Sequence, residues 1–143
     1  MAVDTWAGVA DPVSGRAVDG DTLLTMFAMS KAITATLTHR LVARGIVAYD
    51  EPLSARWPEI GRHGKGGVTV RHAHSHRAGL PIFKGLAFGD QPSLAATGRN
   101  LEEAVPDWAP GALMAHHGMT FGALLGRTTE QAGGKRFAQV MHE

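Results

Sequence analysis

Met29, Ile33, Leu37 and Leu41 stand four residues apart, with Ala32, Ala35 and Val42 beside them. Side chains spaced this way share one face of a helix, so the pattern predicts a helix from about Ala28 to Arg44 with that stripe buried. Gly45, directly after Ala43-Arg44, supplies the stop, because glycine adopts the left-handed conformation that ends a helix at little steric cost. An apolar approach, Leu23-Leu24-Thr25-Met26-Phe27, runs into the helix, and Lys31 falls in its first turn. A chain of 143 residues built around one such helix fits a single domain and is short for two.

The remaining stretches arrange themselves around it. Val3 to Val9 and Arg16 to Val18 flank Asp11-Pro12-Val13-Ser14-Gly15, whose Pro and Gly read as the turn of a β-hairpin. Trp57 to Ile60 forms a short irregular or helical piece, and His63-Gly64-Lys65-Gly66-Gly67 reads as a flexible loop. A short helix is expected from Arg71, stopped by Gly79 and Pro81. Residues 82–100 read as loop, Leu101 to Trp108 as a short helix, and Ala109-Pro110-Gly111 as a turn. Phe121, Leu124 and Leu125 predict a second strong helix from Thr120 to Gly133-Gly134, followed by a last helical piece from Arg136 to His142. Trp6, Trp57 and Trp108 are expected as core or inter-helix packing residues.

Composition excludes several classes of function. Hydrophobic residues make up 44% and charged residues 19%, which is globular rather than disordered. The net charge of +1, with scattered Lys and Arg, gives no footing for nucleic acid or an anionic membrane. Without cysteine there is no disulfide and no thiolate metal site. No apolar run approaches the roughly 20 residues of a membrane span, and the first residues lack a signal-peptide pattern, so a cytoplasmic location is the default expectation. Eight histidines are many for this length and need an account.

An ordered series of strings resembles the serine β-lactamase and penicillin-binding-protein superfamily, in particular its family VIII carboxylesterase branch. The series runs Trp6-Ala7-Gly8-Val9-Ala10-Asp11-Pro12, Asp21-Thr22, Ser30-Lys31-Ala32, Leu41-Val42-Ala43-Arg44-Gly45 and Tyr49-Asp50-Glu51-Pro52-Leu53. It continues through Trp57-Pro58-Glu59, Val68-Thr69-Val70-Arg71-His72, Ser75-His76-Arg77-Ala78-Gly79-Leu80-Pro81, Ala109-Pro110-Gly111 and Thr120-Phe121-Gly122. One such string is weak; this many in the family's order is specific. The resemblance implies an α/β (α+β) sandwich, of which residues 1–143 supply a partial, incomplete domain: an antiparallel hairpin, the active-site helix and a helical region. The family's first helix would precede Met1, and its remaining strands and C-terminal helix would follow.

The family's chemistry uses a Ser-x-x-Lys pair at a helix N-terminus, where the lysine takes the serine proton, and a tyrosine that supports proton transfer. Carried over by position, the lysine is Lys31. The nucleophile position is Ala28, which has no hydroxyl, and the tyrosine position, before His117-Gly118-Met119-Thr120-Phe121-Gly122, is His116. Ser30 lies about 100° round the helix from Lys31 and is no substitute. Loss of the nucleophile removes the acyl-enzyme route itself, so the resemblance implies a serine-hydrolase homologue that is truncated and catalytically impaired.

Two other readings remain open. The chain is a non-catalytic protein keeping a remnant pocket for a small ester or β-lactam-like ligand, or, more weakly, a metal protein using His72, His74 and His76. No cofactor is implied by the resemblance, and neither nucleic acid nor membrane is expected as a partner. A hairpin without neighbouring strands leaves edges open to self-association.

Overall fold

The computed structural model describes residues 3–86 and 93–142. The chain starts with the expected hairpin, but a smaller one. β1 (Val9–Asp11) pairs antiparallel with β2 (Arg16–Ala17), with Val9 opposite Ala17 and Asp11 opposite Arg16. The turn is held by the Asp11 carboxylate, which accepts from the Val13 N–H at 2.9 Å and the Ser14 hydroxyl at 2.6 Å. Gly15 takes a φ of 72° there. Residues 3–8 do not join a strand, because a pairing this short has no further partner to extend against.

A 3₁₀ turn, Phe27–Met29, leads directly into α1 (Ser30–Ala43), whose end at Gly45 has a φ of 69°. The helix is where the spacing predicts it, but its buried face is rotated. Thr34, Leu37, Thr38 and Leu41 are buried, Ile33 is half-buried, and Met29 is 69% exposed. The rotation has a cause in hydrogen bonding. The Thr38 hydroxyl donates back to the Thr34 carbonyl at 3.1 Å and lies 3.3 Å from the Thr129 hydroxyl on the facing helix. Satisfied hydroxyls can line a packed face that a count of apolar residues assigns elsewhere.

That facing helix, α4 (Thr120–Gly133), is the centre of the molecule. It is buried from Thr120 through Thr129 along most of its length and packs against α1, α2 (Val70–His74), α3 (Leu94–Glu103) and α5 (Phe137–Met141). It ends at Gly134, in the left-handed region as expected. α5 folds back on it, with the Phe137 N–H donating to Glu130 Oε1 at 2.9 Å. The result is a mixed fold, helices with one small antiparallel sheet.

Several expectations need correction. The last part of the stretch read as loop, residues 82–100, belongs to α3, capped by Ser93, whose hydroxyl accepts from the Ala96 N–H at 3.2 Å. Gly98, which reads as a breaker, is instead a point of close approach: a Cβ there would come 3.0 Å from Arg127 Nε of α4. The helix expected over Leu101 to Trp108 stops at Glu103, with Ala104 extended and Pro106 ahead. Part of the loop reading, residues 87–92, lies outside the described residues. α2 stops at His74, well before Gly79.

The loop around Lys65 is also tighter than expected. Lys65 is fully buried, and its ammonium donates to the Glu102 carbonyl at 3.0 Å and to the Ala104 carbonyl. It thereby caps the C-terminal end of α3, where carbonyls lack partners and positive charge is favoured. Trp57 is in the core, donating Nε1–H to Glu102 at 2.8 Å. Trp108 is half-buried and packs edge-on against His117, whereas Trp6, 52% exposed and lying against Gly20, departs from the expectation.

Candidate active site

Ala28 sits, exposed, in the 3₁₀ turn ahead of α1, three residues before Lys31. Phe27, immediately before it, takes a φ of 46°, a left-handed conformation that costs a residue with a Cβ. The Ser30 hydroxyl donates to the Phe27 carbonyl at 2.6 Å, so its proton is held within this turn. Among the described residues Lys31 has no hydrogen bond or ion pair, and it is half-buried.

A second part of the chain is laced against the first. His76 has a φ of 59°, just past α2. Its carbonyl accepts from the Ala115 N–H at 3.2 Å, and its Nδ1 accepts from the His117 N–H at 2.9 Å. With Nδ1 an acceptor, Nε2 carries the proton of the neutral ring. The His76 ring lies between Phe121, 5.0 Å away and tilted by 25°, and His116, 5.4 Å away and tilted by 15°. Burial, then the charges of His117, His116 and Lys31, hold His76 below the usual imidazole range. Of these groups, the His116 ring is in stacking contact with His76.

His117 is the functional-looking residue that spacing alone did not single out. It is fully buried; its Nε2 accepts from the Leu80 N–H at 3.1 Å, and its Nδ1 donates to the Ala115 carbonyl at 2.7 Å. One turn later the Thr120 hydroxyl donates to the Leu80 carbonyl at 2.6 Å. Two side chains thus satisfy both backbone groups of one buried residue, which fixes the Gly79-Leu80 turn. The available signal was the spacing of three between His117 and Thr120 where α4 begins. Gly79 has a φ of 79°, and a Cβ there would collide with the Trp108 carbonyl oxygen.

The histidines of the metal reading diverge. His72 Nδ1 accepts from the Thr69 N–H in the cap of α2, His74 stacks on His39 with ring centres 4.5 Å apart, and His76 faces His116. Among the described residues no group of three or more His, Cys, Asp or Glu could hold a metal ion. Nor is any helix of the described residues long and apolar enough to cross a membrane.

Helices around a small antiparallel sheet, with a lysine in the first turn of α1, fit the serine β-lactamase and penicillin-binding-protein-like class of fold. The chain belongs to the β-lactamase family, whose model matches residues 1–143. It is 33% identical to the esterase/β-lactamase LipL of Mycobacterium tuberculosis over 99% of this chain and 33% of that protein. It is 29% identical to a β-lactamase of Escherichia coli over 96% of this chain and 35% of that protein. A family VIII carboxylesterase structure superposes with a TM-score of 0.89 at 27% identity, over 96% of this chain and 38% of that one. A penicillin-binding-protein homologue from Caulobacter crescentus gives a TM-score of 0.82 at 32% identity, over 96% and 37% respectively. The chain spans about a third of the length of the curated relatives it matches.

Proposed function

We propose that this protein is a serine-hydrolase relative, of the esterase and β-lactamase type, whose covalent route is lost at residue 28. The observation that carries the reading is the turn before Lys31. Ala28 offers a methyl group one helical turn ahead of the lysine, and the nearby Ser30 hydroxyl is committed to the Phe27 carbonyl at 2.6 Å. Lys31 retains the position of the proton acceptor, and His116 stands where the family's tyrosine belongs. A positioned base without a hydroxyl to activate forms no acyl-enzyme, and loss of a nucleophile in serine hydrolases costs several orders of magnitude.

The length ratio supports reading this stretch as one part of a larger β-lactamase-type domain. So do the apolar side chains exposed beside α1, among them Leu23, Leu24, Phe27 and Met114. The ligand class consistent with the relatives' names is a small ester or β-lactam. The test is labelling with a fluorophosphonate probe, read by mass spectrometry, alongside turnover of a chromogenic cephalosporin. The chain stays unlabelled and shows no acylation burst, whereas Ala28→Ser gains a label at residue 28. A label on Ser30 of the unaltered chain would refute the reading.

A further inference from the structure

His116 is exposed, yet it is held more firmly than an exposed histidine needs to be. Its neighbours on both sides are tied to His76: Ala115 through its N–H to the His76 carbonyl at 3.2 Å, and His117 through its N–H to His76 Nδ1 at 2.9 Å. One face of its ring rests on the His76 ring at 5.4 Å. His76 is itself backed by Phe121 at 5.0 Å, so the stack is anchored in α4. Among the described residues neither ring nitrogen of His116 is taken by a hydrogen bond, which leaves both available to water.

We propose that His116 is the general base of a direct, water-attack hydrolysis of small activated esters, with His76 positioning the base. The proposal rests on the reading of Ala28 above, because with no side-chain hydroxyl at residue 28 water is the nucleophile. The water oxygen bonds to the acyl carbon while its proton passes to the His116 imidazole, and the carbonyl π pair moves to the carbonyl oxygen. That pair then returns, the ester C–O bond breaks, and the departing oxygen takes its electrons and the proton from the imidazolium. The net change is ester plus water to acid plus alcohol. A stacked, oriented imidazole with a free nitrogen suits this step, and general-base assistance contributes about 10²- to 10⁴-fold.

The experiment follows p-nitrophenyl acetate hydrolysis by the full 143-residue chain. Turnover is expected to be linear, without a burst, and faster than an equal concentration of free imidazole. His116→Ala lowers kcat/KM roughly tenfold or more, and imidazole added to the buffer restores part of it. His142→Gln, at an exposed histidine outside the cluster, leaves the rate unchanged. His116→Gln, which keeps polarity and length, repeats the loss with an unaltered melting curve. His76→Gln lowers kcat while leaving KM in place. Equal rates for the unaltered chain, His116→Ala and His116→Gln would overturn the proposal. A burst or an acyl adduct on Ser30 would instead overturn the reading of Ala28, and the two failures are read from different measurements.

Discussion

His74 makes the fold sensitive to acid, and the size of the effect follows from where its ring sits. The ring is half-buried between α1 and α4, stacked on His39 with centres 4.5 Å apart and meeting Phe121 edge-on at 6.2 Å. Tyr49 closes a third side, bonded through its hydroxyl to His39 Nδ1 at 2.9 Å. Among the described residues the buried His74 Nε2 has no hydrogen-bond partner. Burial first, and then the positive charge of His39, lower His74 from the ordinary 6.5 to about 4. The neutral ring is therefore the one that fits the fold, while the unfolded chain takes up a proton below 6.5. Stability is complete above 6.5 and is lost as the pH falls toward about 4. At about 1.4 kcal/mol per pH unit the full gap is worth about 3 kcal/mol, of which about 2 kcal/mol is gone at pH 5. Solvent at the ring edge makes these upper bounds. Urea unfolding at pH 7, 6 and 5 reads the slope. His74→Phe keeps the aromatic packing without the proton site, so it loses about 2 kcal/mol less than the unaltered chain between pH 7 and pH 5. Removing the neighbouring charge with His39→Gln also flattens the slope, to a smaller extent. Identical slopes for the unaltered chain and His74→Phe would refute the reasoning, since the other histidines are common to both.

Lys65→Ala is expected to destabilise the fold by about 3 kcal/mol in urea unfolding, because the Glu102 and Ala104 carbonyls lose their buried donor. Lys65→Met, which keeps the apolar stem, costs less. His117→Ala costs about 2–4 kcal/mol, since the Leu80 N–H is left without its acceptor and a buried ring is removed; amide exchange at Leu80 should speed up with it. Gly79→Ala lowers the melting temperature, at a cost of about 2 kcal/mol or more, from a φ of 79° and the blocked approach of Trp108.

How much was legible depended on the range of the interaction involved. α1 and α4 could be read because a helix repeats every few residues and glycines mark their ends. The hairpin turn could be read because Asp11, Ser14 and Gly15 make it among themselves. α3 was missed because Gly98 weakens its local pattern; its packing against α4 makes that glycine necessary. Lys65 was read as a loop lysine because its partners, the carbonyls of Glu102 and Ala104, lie far along the chain. The candidate site divides the same way: the spacing of three between Ala28 and Lys31 stands in the sequence itself, whereas the lacing of His76 to Ala115 and His117 does not.

The sequence by itself determined the helix that presents Lys31, the methyl at Ala28 one turn before it, and the family these positions belong to. Only the tertiary structure decided which face of that helix is buried and which histidines come together. Spacing dictates which residues share a side, but the choice of buried side belongs to the partner. Here Thr129 on α4 offers a hydroxyl to Thr38, so the helix turns its threonines inward and leaves Met29 outside. His76 and His116 become neighbours for the same kind of reason: backbone hydrogen bonds between distant segments bring them side by side, and no local pattern encodes those bonds.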